Sequence, residues 1–491
     1  MVARRACMAA GILVALAYGA VASAAGGFED VRERLCSAAR DARVPSIAVA
    51  IFQDGRILFE GGCGWADREK QITATAHTRY AIASVSKPLT ATGLMTLVQA
   101  GRIDLDRPVN DYLGGALLRA RIGDVRQATV RRIADHTSGL PLHWQFFYAD
   151  QPFAVPPFEE TLQRYGNLVS IPGERFSYSN LNYGILGSVV ERVAGEPFWK
   201  FMRAQVFLPL GMTNTSVGIE HAPPGETAIL YGKDGRPLPR YRSNHPGASD
   251  VYSSVHDLAL FGLFHLGAHR RGQVPILDDS HLEEMHRQTA QNGDRGFGYG
   301  IGFEVSTFRG HRMVHHSGGM DGASSNLLLF PQQGLGIVAL ANARPAPLDT
   351  VTNAILAELL TGWKEAADEP AAPTPAFSPS AELLGKWRGT LSTYARDLPM
   401  SLEFVAGGAV RARLGDQSWV AVEGMTFNDG LFKAELTARI GTPDVERDRY
   451  RLLLSLQLRG TALTGGATAL DEGPRARSAL THWVELGKEG G

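Results

Sequence analysis

AIASVSKPLTATGLMTLVQAGRIDL, residues 81–105, opens with small, polar and positively charged residues and then becomes apolar. Pro88 suits the first turn of a helix, where its missing N–H costs little, and Gly101 is a natural stop. Ser84 and Lys87 stand three apart at the helix entrance, so their side chains share one side. A serine hydroxyl is a poor nucleophile until a base takes its proton. A lysine can be that base only where desolvation or nearby positive ends draw its pKa down from ~10.4. A capping serine beside a solvated lysine is the ordinary account of a bare S-x-x-K. The reading therefore depends on what the rest of the chain supplies.

Two later stretches supply partners. In PGERFSYSNLNYGILG, residues 172–187, Tyr178 and Asn180 stand two apart ahead of a second helix. A phenol can shuttle a proton when positive charge lowers its pKa from ~10, and an amide can hold a lysine or a substrate carbonyl. In VHHSGGMDGASSNLLLF, residues 314–330, His316, Ser317, Gly318 and Gly319 introduce a strand. Glycines let a substrate backbone approach a strand edge closely. A histidine can bind an anion or pass a proton.

The chain has 491 residues, 44% hydrophobic and 20% charged, with a formal net charge of −1. That length calls for two or three domains, and the charge balance points to neither nucleic acid nor an anionic membrane. Residues 1–25 have the layout of a secretory signal peptide: Arg4 and Arg5, an apolar run, then Ala22, Ser23, Ala24 and Ala25. The mature protein is expected in a bacterial periplasm or outside the cell, with no stable membrane span after cleavage. Of three cysteines, Cys7 leaves with the leader. Cys36 and Cys63 either pair in an oxidising compartment or stay as buried thiols.

A main body runs over residues 28–364, an Ala/Pro-rich linker over 365–380, and a smaller segment over 381–491. In the body, IAVAIF and RILFEGGCG flank Asp54-Gly55 as a hairpin. SNLLLFPQQGLGIVALAN, residues 325–342, reads as two more strands, and LDTVTNAILAELLTGW as a closing helix. Strands at both ends with helices between predict an α+β fold: one antiparallel sheet assembled from the two ends of the body and flanked by helices. In the last segment, YRLLLSLQLRG, LFKAELTARI and AVRARL alternate apolar and polar residues and predict a small all-β barrel.

The order S-x-x-K, Y-x-N, then histidine-serine-glycine resembles the serine β-lactamase and penicillin-binding-protein family, most closely its class C-like branch. HTSGLP at 136–141, LDRPVNDYL at 105–113, PLGMTNT at 209–215 and FGYGIGF at 297–303 extend that resemblance over residues 28–364. It implies the β-lactamase/transpeptidase-like arrangement, with an all-helical subdomain beside the sheet. It further implies Ser84 as the acylated nucleophile, and Lys87 and Tyr178 as proton carriers. Asn180 would orient Lys87 and the substrate amide, and the N–H groups of Ser84 and Gly319 would form an oxyanion hole. His316 and Ser317 depart from the lysine and threonine of many relatives. A histidine is charged only below ~6.5, so carboxylate binding is expected to weaken in alkali, above about pH 7. The last segment, through LLGKWRGTL at 383–391, resembles the lipocalin-like domains attached to some members.

The implied activity is hydrolysis of small-molecule esters, amides or peptides, D-amino-acid substrates included, without a cofactor. A penicillin-recognising or peptidoglycan-binding protein with little turnover, and a weak β-lactamase, are the alternatives. No metal site is expected. HLEEMH at 281–286 lacks H-E-x-x-H and reads as a surface helix, and His311, His315 and His316 lack a companion ligand at metal spacing. Ser138 of HTSGLP has no lysine partner and reads as a turn, with His136 hydrogen-bonded beside it.

Overall fold

The computed structural model describes residues 21–490 except 268, 270, 271, 293–296, 364–376, 448, 474 and 476. The signal peptide therefore falls outside the described residues up to position 20, and the linker up to position 376. Helix α1 (Val21–Asp41) leads into β1 (Ser46–Gln53) and β2 (Arg56–Asp67). Asp54 and Gly55 turn between these strands with φ of 49° and 78°, the left-handed pair that matches strand twist. There follow α2 (Ser86–Gln99), β3 (Trp144–Tyr148), α3 (Asn180–Ala194), β4 (Tyr241–Ser243) and α4 (Val255–His265). The body closes with β5 (Glu304–Phe308), β6 (His311–Met320), β7 (Ala323–Phe330), β8 (Leu335–Ala341) and α5 (Leu348–Leu359).

The two ends of the body do build one sheet. It runs β5-β6-β7-β8-β1-β2, with short strands beyond each end, and β8 lies antiparallel to β1 with Ile337 opposite Ile51. β1 is apolar throughout because both its faces are covered. Ile47, Val49 and Ile51 pack with Val31 and Leu35 of α1 and Ile355 of α5. Ala48, Ala50 and Phe52 join the core that holds α4 and the helical subdomain. Cys36 of α1 and Cys63 of β2 form a disulfide across the first of these layers.

The last segment is a meander of β9 (Gly385–Ser392), β10 (Asp397–Phe404), β11 (Val410–Leu414), β12 (Val420–Ala421), β13 (Glu423–Asn428), β14 (Leu431–Leu436), β15 (Tyr450–Arg459), β16 (Ala462–Asp471) and β17 (Ser478–Lys488). Its order is β12-β11-β10-β9-β17-β16-β15-β14-β13. The two edge strands are separated in sequence by Val422 alone, so the sheet curls until its edges nearly meet. The interior is filled with side chains, among them Trp387, Leu402, Phe432, Leu452, Leu456 and Leu486, each fully buried. The alternation read from sequence fits: Phe432, Ala434, Leu436, Ala438 and Ile440 are all buried.

The barrel is seated on the body through β3. Ala479 and Ser478 of β17 pair with Trp144 and Gln145, while β3 also pairs with β4. Thr481 Oγ1 donates to the Leu142 carbonyl at 2.8 Å. The buried Asp444 carboxylate accepts from Tyr165 of the body and from Tyr394 of the barrel.

Candidate active site

Ser84 lies in a single 3₁₀ turn, Ala83–Val85, that feeds directly into α2. Ala83 has φ of 47°, a left-handed backbone that costs a non-glycine residue ~1–2 kcal/mol. The turn is held by Ser325 Oγ of β7, which donates to the Ile82 carbonyl at 2.6 Å. Ser84 remains partly exposed between buried Ala83 and Val85.

One turn on, Lys87 is fully buried. Its Nζ lies 3.0 Å from Ser84 Oγ, 2.7 Å from Asn180 Oδ1 and 3.1 Å from the Ala248 carbonyl. Burial holds its pKa well below the usual lysine range, against a smaller opposing pull from the Glu304 carboxylate. The Tyr178 ring centroid is 4.8 Å from the same nitrogen. Asn180 is the first residue of α3, and its N–H reaches the His143 carbonyl at 3.3 Å. The S-x-x-K and Y-x-N stretches thus meet at Lys87 Nζ.

His136 supports this corner from below. Its Nδ1 accepts from Ser179 N at 3.3 Å and lies 3.0 Å from Asn182 Nδ2, and its ring packs 4.5 Å from that of Tyr178. Ser138 Oγ donates to Asn182 Oδ1 and accepts from Leu140 N, which is the turn geometry read for HTSGLP.

β6 forms the facing wall. β5 pairs only with its residues 311–315, so from His316 to Met320 that side carries no strand partner among the described residues. A Cβ on Gly318 would fall 2.5 Å from Ile82 O and 2.9 Å from Ser84 N. Only glycine lets this strand lie against the serine's turn. Ser317 and Gly319 point the other way and are exposed.

His316 differs from its expected role. It is buried, and burial, with Lys87 nearby, holds its pKa well below the usual histidine value. Nδ1 donates to the Ser317 carbonyl at 2.7 Å, and Nε2 accepts from Tyr299 Oη at 2.9 Å. Both ring nitrogens are engaged within the fold. To take the expected carboxylate-binding role, His316 must give up these two bonds.

Two contributors had no signal in sequence: the Ala248 carbonyl holds Lys87, and Arg344 follows β8. Tyr299, within the FGYGIGF stretch, orients His316. The Arg344 guanidinium would stand 2.5 Å from a Cβ on Gly319. It is exposed and makes no hydrogen bond or ion pair among the described residues. HLEEMH forms a surface helix whose inner face buries Leu282, Met285 and His286.

Residues 31–361 match the family model described as Beta-lactamase. Protein flp of Staphylococcus aureus (strain MRSA252) is 27% identical over 305 residues, 61% of this chain and 60% of that protein. The chain thus spans about 60% of that relative's length. The solved structure of SurE with D-Leu aligns with a TM-score of 0.64 at 22% identity, covering 93% of this chain and 100% of that one. A D-stereospecific amidohydrolase from Streptomyces sp. aligns with a TM-score of 0.54 at 26% identity, covering 67% and 98%.

Proposed function

The chain belongs to the Beta-lactamase family, and from that premise we propose that it is an exported serine hydrolase that forms an acyl-enzyme on Ser84. The contact set of Lys87 carries this reading. A neutral amine has two N–H groups and one lone pair. With Asn180 Oδ1 and the Ala248 carbonyl accepting the two hydrogens, the lone pair faces Ser84 Oγ at 3.0 Å. Ser84 Oγ attacks the substrate carbonyl carbon as its proton passes to Lys87 Nζ. The proton then goes to the departing nitrogen or oxygen, with Tyr178 as second carrier. Water cleaves the resulting ester and restores Ser84. The N–H groups of Ser84 and Gly319 take the oxyanion, each worth ~2.7–4 kcal/mol.

The unpartnered edge of β6 suits an extended substrate backbone laid beside residues 316–320. The likeness to a D-stereospecific amidohydrolase supports amides and esters of D-amino acids and peptides. His316 is a positioning residue in this reading, and Arg344 is the cation for a substrate carboxylate, which favours peptide-type substrates that end in one. The Cys36–Cys63 disulfide fits an oxidising compartment, and among the described residues no helix is long and apolar enough to cross a membrane.

Mass spectrometry of the protein after treatment with a fluorophosphonate, and separately with a penicillin, tests the mechanism. We expect an adduct on Ser84, absent from Ser84→Ala, together with turnover of p-nitrophenyl esters or D-Ala-p-nitroanilide. Turnover in Ser84→Ala should fall by on the order of 10⁴-fold or more. A penicillin adduct without turnover would assign the chain to the binding alternative, and no adduct on Ser84 would end the proposal.

A further inference from the structure

Away from the residues around Lys87, the side chains of Glu60, His77 and His256 converge. One ligand atom from each lies within 4.8 Å of the other two. His256 Nδ1 is 2.8 Å from Glu60 Oε2, and the two imidazole rings are 4.6 Å apart at 51°. Among the described residues this is the only such group of three. Their positions in sequence follow no ligand spacing, so only the fold brings them together.

The three backbones are tied before any side chain is considered. Glu60 sits on β2 opposite Ala50 of β1. His77 sits in a turn whose Ala74 N donates to the Gly64 carbonyl of β2 and whose Thr75 N donates to Thr78 Oγ1. His256 is the second residue of α4, and its N–H donates to the Ala76 carbonyl at 3.2 Å. Strand, turn and helix are thus held in register by main-chain bonds.

His77 brings a second imidazole to the Glu60–His256 pair. We propose that Glu60, His77 and His256 form a binding site for one divalent transition-metal ion, of which zinc is the best matched. Two imidazoles and one carboxylate are borderline ligands that suit zinc, cobalt or nickel better than magnesium or calcium. Donors about 2.0–2.2 Å from one tetrahedral ion stand about 3.3 Å apart, which small side-chain rotations reach from the observed spacing. His77 is exposed, so water completes the coordination from solvent. The turn that carries His77 runs on into Tyr80 and Ala81, the strand that leads to Ser84. The ion would brace the approach to that turn rather than enter the reaction.

The test uses the full, tag-free chain stripped with a chelator. Titration with Co²⁺ should give visible d–d absorption that saturates at about one equivalent, and Zn²⁺ should displace it and raise the melting temperature. His77→Ala, at an exposed position, should lower the affinity by at least about tenfold. Glu60→Gln should do the same while the unloaded protein keeps the wild-type melting temperature within a few degrees. Ester turnover of the unloaded variants should match that of the unloaded wild type. Saturation at no equivalent, or an affinity unchanged in both variants, would overturn the site.

Discussion

The two antiparallel sheets of this molecule treat their edges in opposite ways. The barrel curls until β12 and β13 lie one residue apart in sequence, and it fills its interior with leucine, phenylalanine and tryptophan. Among the described residues, the sheet of the body stops pairing along one side of β6 at His315, and the open length that follows lies against Ser84. Open edges invite aggregation, so a fold that keeps one is expected to use it. The body also buries titratable groups freely, while the barrel has a single histidine, His482. Chemistry and acid sensitivity therefore fall on the same side of the comparison.

The largest expected effect sharpens that contrast. Burial holds eight histidines below their ordinary pKa: His136, His143, His245, His265, His286, His315, His316 and His482. The values reach about 4 at His143, His315 and His482 and about 3 at His286. In the unfolded chain they titrate near 6.5. Below that pH the unfolded chain takes up protons that the folded chain refuses. Their contribution is thus complete above 6.5 and declines as pH falls toward the folded values, by up to ~1.4 kcal/mol per unit for each histidine. Calorimetry between pH 7.5 and 5 should show the body's transition falling well ahead of the barrel's. A profile that keeps its shape and midpoint would break the contrast.

A smaller effect tests the edge itself. Gly318→Val places side-chain atoms where Ile82 O and Ser84 N stand, so β6 must move off the turn. A displacement near 1 Å at the reacting atoms costs on the order of 10²-fold. We expect kcat to fall by about that factor while the melting temperature of the barrel stays put. Wild-type kcat in Gly318→Val would show that the edge does not frame the site.

The same contrast explains what could be read from sequence. The Asp54-Gly55 hairpin, the two-ended sheet and the barrel's alternation were legible because each is a local pattern imposed by burial on one face or two. Ser84, Lys87, Tyr178 and Asn180 were legible as motifs, and the structure brings them within contact of Lys87 Nζ. What His316 does was not legible, because its state depends on Tyr299 and on depth, and neither leaves a mark near position 316. Arg344 was equally silent. It lies past the end of β8, and only strand pairing carries it across to Gly319.

The smallest expected effect separates these last two residues. If Arg344 supplies the positive charge, its loss should raise KM for a carboxylate-bearing peptide substrate and leave a neutral p-nitrophenyl ester nearly untouched. A charge-assisted hydrogen bond is worth ~1.5–3 kcal/mol, so Arg344→Gln should raise KM by about 10–100-fold for the first substrate and by less than about twofold for the second. With Arg344 rather than an imidazole as the anchor, the ratio of the two KM values in the wild type should stay flat from pH 5.5 to 8.5. A ratio that climbs through pH 6.5 would instead assign the anchor to an imidazole near its ordinary pKa. It would mean that His316 opens to the cleft when substrate binds and exchanges its bonds to Tyr299 and Ser317 for one to the carboxylate. A flat ratio that Arg344→Gln does not change would place the recognition of substrate charge outside β6 altogether.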